Sequence, residues 1–186
     1  MTSPMRSRIG SRDRWKSELP RLKFFAGGCS EARMELDKDF SEFVESFIAH
    51  DVRFMIVGGY ALAAHGLPRA TGDLDAWVWL DPANAQRILS ALNDFGFGDL
   101  DIDESDLVRP DSIVQLGYSP YRVDILTTID GVNFEQAWEG RLTVDVNGMS
   151  VPFIGRDDLI VNKRAVGRPQ DLADVERLTR SDGDAR

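Results

Sequence analysis

The sequence predicts an α+β fold in which flanking helices cover a mixed β-sheet. Two kinds of segment alternate along the chain: short apolar runs typical of strands, and amphipathic segments with helical spacing. Some strand segments are joined by short turns, above all Asn147-Gly148, a dipeptide strongly favoured in hairpins. Hairpins make antiparallel pairs, so a sheet that combines them with helical connections is mixed and differs from a doubly wound parallel sheet.

The first half of the domain is expected to alternate helices with buried strands. An amphipathic helix is predicted by five apolar residues at helical spacing, which are Phe40, Phe43, Val44, Phe47 and Ile48. The apolar runs at 53–57 and 74–80 predict strands. Between them, the Ala-rich segment at 60–65 predicts a helix that ends at Gly66.

The middle of the chain begins with another helix and then becomes irregular. Residues 82–95 predict that helix, with a proline suited to its first turn and a glycine after its end. Residues 98–111 are acidic and irregular, and we expect a loop there. The runs at 112–116 and 121–127 predict two strands joined by a turn.

The last part of the chain is expected to contain a hairpin followed by two helices. The predicted elements are a short helix at 134–138, strands at 142–146 and 149–154, a helix ending near 166 and a last helix over 170–178. Asp157 or Asp158 can cap the first of the two final helices. Gly167-Arg168-Pro169 separates them.

The length and composition favour one globular domain with tails. The 186 residues are 42% hydrophobic and 28% charged, as in folded proteins. Residues 1–33 have no hydrophobic period and hold eight basic against three acidic side chains. We therefore predict a basic, flexible tail over 1–33, one domain over 34–180 and a C-terminal tail over 181–186.

The charge distribution restricts the kinds of partner. The net charge is −9, and the basic segment leaves about −14 on residues 34–186. Such an acidic body disfavours extended contacts with nucleic-acid phosphates. It is nevertheless compatible with a local metal site, because carboxylates are the side chains that bind Mg²⁺.

Composition also excludes or disfavours several classes of protein. The single cysteine, Cys29, excludes an intramolecular disulfide, and the two histidines, His50 and His65, disfavour a His-rich zinc site. No apolar run reaches the roughly 20 residues that span a bilayer, and no segment resembles a signal peptide. We therefore expect a cytoplasmic protein without a membrane partner.

A glycine pair lies where a predicted strand meets a predicted helix. Gly58 and Gly59 have no Cβ, so a phosphate could approach the backbone N–H groups at this helix start. An ordinary turn is the alternative interpretation of an isolated Gly-Gly pair.

Two acids follow on the next predicted strand. Asp73 and Asp75 are two residues apart, so both carboxylates project from one face, while Leu74, Ala76 and Val78 face the core. Neighbouring carboxylates repel each other, and a divalent cation would relieve that repulsion. A solvent-facing strand edge is the alternative.

A third acid interrupts a later apolar strand. Asp124 stands between Val123 and Ile125, which point to the opposite face. An acid in a buried strand needs a partner. A metal shared with Asp73 and Asp75 would provide one, and a salt bridge to Arg122 or Arg69 is the alternative.

Together these residues resemble the nucleotidyltransferase superfamily typified by DNA polymerase β and the minimal nucleotidyltransferases. The resemblance implies a polymerase β palm-like fold and covers roughly residues 40–178. The sequence around the motifs is most similar to the AbiEii-type, toxin-like bacterial branch. Its C-terminal Lys and Asp motif resembles a segment containing Lys163, Arg168, Asp171 and Asp174.

The resemblance implies transfer of a nucleoside monophosphate from an NTP, such as ATP, to a hydroxyl, with release of pyrophosphate. Asp73, Asp75 and Asp124 would be the catalytic residues and would hold Mg²⁺ or Mn²⁺. The nucleotide-binding residues would be Gly58, Gly59, Arg69, Thr71 and Lys163. Surface charge or capping is the alternative role for Arg69, Thr71 and Lys163.

The acceptor is not specified by the sequence. Related proteins modify RNA 3′ ends, protein hydroxyls or small molecules, and toxin-like members have an antitoxin partner. A non-catalytic nucleotide-binding or toxin–antitoxin partner protein of the same fold is the alternative function. Trp77 shares the face of Asp73 and Asp75 and is the candidate for stacking on a base. His65 is expected to have a packing role.

Overall fold

Nine strands and seven helices are described in a computed structural model that covers residues 9–10, 23–25, 33–118 and 121–180. The strands are β1 (Ile9–Gly10), β2 (Lys23–Phe25), β3 (Arg33–Glu35), β4 (Phe54–Ile56), β5 (Asp73–Val78), β6 (Ile113–Leu116), β7 (Arg122–Leu126), β8 (Leu142–Val146) and β9 (Met149–Phe153). The helices are α1 (Lys38–Ala49), α2 (Gly58–Ala64), α3 (Pro82–Leu92), α4 (Glu104–Val108), α5 (Phe134–Glu139), α6 (Arg156–Val166) and α7 (Pro169–Arg180).

The strands form one mixed sheet in the order β1-β6-β7-β5-β4-β9-β8-β3-β2. The central strand β5 runs parallel to β7 and antiparallel to β4. Hairpin partners β6–β7 and β8–β9 are antiparallel, and β4 runs parallel to β9. This arrangement confirms the predicted α+β fold with a mixed sheet.

The core follows the periodicities of the sequence. Leu74, Ala76 and Val78 are fully buried, as expected for alternate residues of a strand with one core face. The aromatic and aliphatic face of α1 is also fully buried. Ile48, by contrast, is 36% exposed. Eight residues after Phe40 the helix has turned about 80° beyond two full turns, which moves Ile48 to the edge of that face.

The acidic segment expected to be a loop contains the helix α4. The Asp103 carboxylate accepts a hydrogen bond from the Asp106 N–H, and the Asp106 carboxylate accepts one from the Asp103 N–H. This reciprocal capping starts the helix although the segment has few apolar residues. The spacing of these two acids was the local signal that could have predicted it.

Helix boundaries differ from the prediction at three further places. Helix α2 begins at Gly58, so the glycine pair forms its first turn. Helix α3 ends at Leu92 and continues as a π-helical turn over Asn93–Phe97, where Gly96 has a φ of +93°. Helix α6 is preceded by Gly155 at its N-cap, and Asp157 and Asp158 lie in its first turn.

The predicted tails fall largely outside the described residues. Strands β1 and β2 lie within 1–33 and pair with β6 and β3, and 181–186 is not described. The assignment of both ranges to tails stays a prediction. Among the described residues, no helix combines the length and apolar character needed to cross a membrane.

Candidate active site

The three predicted acids meet on two adjacent strands. Strands β5 and β7 run side by side, and their register places Asp75 opposite Asp124 and Asp73 opposite Arg122. One carboxylate oxygen from each of Asp73, Asp75 and Asp124 lies within 4.8 Å of the others. Asp124 is buried, and Asp73 and Asp75 are partly buried.

Arg122 bridges two of the three acids. Its guanidinium donates hydrogen bonds to Asp73 Oδ2 at 2.7 Å and to the two carboxylate oxygens of Asp124 at 2.8 and 2.9 Å. Gln115 Nε2 also donates to Asp124 Oδ1, at 3.3 Å. The salt bridge considered for Asp124 is therefore formed with Arg122, while Arg69 pairs elsewhere. Among the described residues, Arg122 is thus the one cation hydrogen-bonded to this group of three carboxylates.

Asp75 is the member of the triad whose charge is least compensated. Burial raises its pKa to about 7, and the charges of Asp73 and Asp124 contribute, although Arg122 and Arg168 act in the opposite direction. Within the described part of the chain, Arg122 and Gln115 donate to its neighbours but not to the Asp75 carboxylate. Burial also raises the pKa of Asp124, despite its hydrogen bond from Arg122.

This donor set fits a divalent cation. A partly buried carboxylate without a hydrogen-bond donor, next to two others, is electrostatically unfavourable until a positive charge approaches. Carboxylate oxygens are the ligands preferred by Mg²⁺ and Mn²⁺. Asp73, Asp75 and Asp124 are therefore the residues that could hold such an ion.

The glycine pair packs directly against the acids and their support. A Cβ on Gly58, whose φ is +63°, would lie 2.0 Å from Asp75 Oδ2. A Cβ on Gly59 would lie 2.8 Å from the Cβ of Thr71, and the Thr71 hydroxyl donates a hydrogen bond to Asp73 Oδ1 at 2.7 Å. The first N–H groups of α2 have no intrahelical acceptor, so this turn brings backbone donors close to the triad.

A second charged cluster joins α6 to α7. The ammonium group of Lys163 is buried and lies 3.0 Å from Asp171 Oδ1 and 2.9 Å from Asp174 Oδ2. Arg69 Nε lies 3.5 Å from Asp174 Oδ2. Two of the predicted nucleotide-binding residues, Lys163 and Arg69, are thus held by the same carboxylate of α7.

Arg168 extends this cluster toward the triad. Its Nε donates to Asp171 Oδ2 at 2.6 Å, and its side chain is 73% exposed. Its pKa is raised by that hydrogen bond and also by the charges of Asp75 and Asp73. Burial acts to raise the pKa of Asp171, but the hydrogen bonds from Arg168 and Lys163 outweigh it and lower the pKa. Arg168 belongs to the C-terminal Lys and Asp motif recognised in the sequence, which predicted no contact for it.

Two further residues named from the sequence lie near the site. Trp77 is only 2% exposed and packs edge-on against Phe134, with ring centroids 4.9 Å apart. Its predicted stacking on a base stays a prediction. The His65 ring hydrogen-bonds through Nε2 to the Ile154 carbonyl at 2.9 Å, and burial lowers its pKa. That geometry agrees with a packing role.

Comparisons with known proteins cover most of the chain. A family model described as "Nucleotidyltransferase of unknown function (DUF6036)" matches residues 32–181. Among solved structures, the chain is similar to a "putative nucleotidyltransferase" from Thermotoga maritima, with 17% identity and a TM-score of 0.48 over 78% of this chain and 91% of that one. No curated protein sequence matches the chain. The range of the family match includes the triad, the glycine pair and the α6–α7 cluster.

Proposed function

Because this chain belongs to the DUF6036 family of nucleotidyltransferases, we propose that it transfers a nucleoside monophosphate from an NTP to a hydroxyl and depends on a divalent metal. The observation that supports this most directly is the triad, whose carboxylate oxygens lie within 4.8 Å of one another. The raised pKa of Asp75, caused by burial and by its acidic neighbours, adds a physical reason for cation binding.

In the proposed reaction the acceptor oxygen forms a bond to the α-phosphorus, and the bond between that phosphorus and the β-phosphate oxygen breaks. Pyrophosphate leaves with the electron pair, and Asp124 accepts the proton of the acceptor hydroxyl. Asp73, Asp75 and Asp124 would hold Mg²⁺ or Mn²⁺, which when bound neutralises charge on the phosphate oxygens. Thr71 keeps Asp73 oriented through its hydroxyl hydrogen bond.

The triphosphate is proposed to lie along the glycine turn. Gly58 and Gly59 would donate backbone N–H groups, and their close packing against Asp75 and Thr71 supports this position. Arg69, Thr71 and Lys163 are the other proposed nucleotide contacts. Since Arg69 and Lys163 are both paired with Asp174, contact with phosphate would require them to exchange or share that partner. Arg168, with its exposed side chain, is an additional candidate.

The experiment has two parts. Calorimetry with each NTP and Mg²⁺ or Mn²⁺ measures binding, and labelled NTPs incubated with total RNA, a protein extract and small-molecule hydroxyls identify the acceptor. We expect label transfer that is lost in Asp75→Asn and retained in Asp99→Asn, a matched control in an exposed turn. Absence of both NTP binding and transfer would refute the proposal.

Binding without transfer would instead support the alternative function, a non-catalytic nucleotide-binding or toxin–antitoxin partner protein. Similarity to the AbiEii-type branch, an antitoxin partner and a cytoplasmic location remain part of the proposal. The presence of all three acids in one cluster supports catalysis over this non-catalytic alternative.

A further inference from the structure

A cavity of about 300 Å³ lies where β5 and β7 end and α5 begins. Three aromatic side chains line it: Trp77, Trp79 and Phe134. Its other lining residues are Leu80, Thr127, Thr128, Val132, Asn133 and Glu135. Its volume is at the lower limit of ligand pockets, which suits one small ring system.

The cavity is on the same side of the sheet as the triad. Trp77 follows Asp75 by two residues on β5, so both side chains project from one face, about 7 Å apart along the strand. The glycine turn contacts Asp75 and Thr71, nearer the start of β5. The cavity therefore lies farther along β5 than the acids and the glycine turn.

One residue that lines the cavity carries a buried donor for which the described part of the chain offers no acceptor. Trp77 is 2% exposed, and its indole N–H has no hydrogen-bond partner within the described ranges. The indole N–H of Trp79, by contrast, donates to Glu135 Oε1 at 3.1 Å. Buried donors are nearly always satisfied in folded proteins. The Trp77 nitrogen is itself buried, so a ligand acceptor atom would satisfy it after a small shift of the cavity wall.

Two aromatic residues of the cavity wall are held in place by residues outside the cavity. The Arg53 guanidinium lies 4.6 Å from the ring centroid of Trp79 and 4.8 Å from that of Trp138. Phe134 stacks on Trp138 with an angle of 16° between the rings. These contacts fix Trp79 and Phe134 independently of any ligand, which lowers the entropic cost of binding a flat ring.

We propose that this cavity binds a nucleobase, a planar heterocycle whose ring nitrogen or carbonyl oxygen accepts the hydrogen bond of the Trp77 indole. The proposal rests on the proposed function for its choice of ligand. Aromatic walls bind bases through stacking with little sequence preference, and the bases carry acceptor atoms on their edges. The base can belong to the NTP itself or to a nucleoside or terminal nucleotide that accepts the transferred group.

The test compares two variants of the full chain with one control. Trp77→Phe removes the donor and keeps a ring, and Trp79→Leu removes an aromatic wall. The control, Phe95→Leu, changes an aromatic residue outside the cavity that packs against Phe43 and Phe97. Calorimetry with Mg²⁺ measures affinity for inorganic triphosphate, for each NTP, and for each nucleoside added with or without triphosphate. Cooperative melting verifies that each variant is folded; if Trp77→Phe is unfolded, Trp79→Leu alone decides the result.

If the NTP base occupies the cavity, wild type binds an NTP more tightly than triphosphate, and the cavity variants lose about tenfold of NTP affinity but no triphosphate affinity. If an acceptor base occupies it, nucleoside affinity falls about tenfold and NTP affinity is unchanged. Phe95→Leu changes neither. Equal affinities of wild type and cavity variants for all NTPs and nucleosides would overturn the proposal.

The failure of the proposed function has a different signature. Triphosphate that does not bind in the presence of Mg²⁺, together with no label transfer, would refute nucleotidyl transfer. Nucleoside binding that depends on Trp77 or Trp79 would still establish the cavity as a base-binding site.

Discussion

At the level of single residues, Asp75 carries a charge that the fold destabilises. Its pKa is raised to about 7 by burial and by its acidic neighbours, whereas its ordinary value is 3.8. The native state therefore binds this proton more tightly than the unfolded chain does. Between pH of about 4 and about 7 this difference makes the free energy of unfolding decrease as the pH rises.

Asp75→Asn should accordingly stabilise the metal-free protein at pH 8, because it removes a charge that is repelled there. We expect its melting temperature to exceed that of wild type by at least about 2 °C at pH 8, and by less at pH 5, where Asp75 is protonated. Mg²⁺ should raise the melting temperature of wild type but not of the variant. A variant less stable than wild type at pH 8, measured by calorimetry in EDTA, would contradict this.

Replacement of Gly58 is expected to disturb the candidate site, because this residue packs against Asp75. Gly58→Ala places a methyl group 2.0 Å from Asp75 Oδ2 at a φ of +63°, so it should strain the backbone and displace the carboxylate. Gly66→Ala is the matched control, because Gly66 also has a positive φ, +81°, but no atom within 4 Å of the added Cβ.

Both alanine variants should lose about 1–2 kcal/mol of stability from the left-handed backbone conformation, measured by urea denaturation. Only Gly58→Ala should also lose Mg²⁺ affinity, as followed by the metal-induced change in melting temperature. Equal Mg²⁺ affinity in the two variants would show that the contact with Asp75 is unimportant.

At the level of elements, the α6–α7 pair is joined by a buried ion cluster. Lys163 contacts Asp171 and Asp174, and all three side chains are at most 4% exposed. Breaking such a cluster on one side leaves uncompensated buried charges, which costs more than the intact cluster contributes. The positions of Arg69 and Arg168 relative to the triad depend on this packing, since Arg69 pairs with Asp174 and Arg168 pairs with Asp171.

Lys163→Met should destabilise the protein by about 3 kcal/mol, because Asp171 and Asp174 lose the buried cation that they share and keep only Arg168 and Arg69. The control is Arg180→Met, which removes an exposed pair with Glu176 and should cost at most about 1 kcal/mol. Urea unfolding with circular dichroism measures both. Similar stabilities of the two variants would mean that the cluster is not structurally important.

At the level of the whole molecule, the negative charge of the protein opposes the binding of a negatively charged nucleotide until a metal binds. The chain has a net charge of −9. Among the described residues, one guanidinium, that of Arg122, donates hydrogen bonds to the carboxylates of the triad. An NTP carries several negative charges and is repelled by this surface and by the acids. A divalent cation bound at the triad would make the electrostatic potential there positive.

ATP binding should therefore depend steeply on the metal. In EDTA we expect no binding detectable by calorimetry, and in Mg²⁺ we expect measurable binding under the same ionic strength. Raising the salt concentration should weaken the metal-free repulsion. Equal ATP affinity with EDTA and with Mg²⁺ would contradict the electrostatic argument and the proposed position of the triphosphate.

Much of this site was predictable from the sequence because it depends on patterns of neighbouring residues. Asp73 and Asp75 alternate with fully buried residues, so their shared face followed from strand geometry alone. The Asn147-Gly148 hairpin followed from residues that tolerate a positive φ, which are +54° and +86° here. Helix α4 was missed because acidic residues typical of loops also form a reciprocal cap.

The sequence by itself determined the types of most elements and the face of each acid, because 2- and 3.6-residue periodicities are properties of neighbouring residues. Only the tertiary structure decided that Asp124 lies opposite Asp75, that Arg122 bridges Asp73 and Asp124, and that Lys163 is buried between two aspartates. Strand register and helix packing arise from contacts between residues far apart in the chain. The same holds for the aromatic cavity, whose walls come from β5, the segment that follows β7 and the start of α5, and meet only when the sheet is assembled.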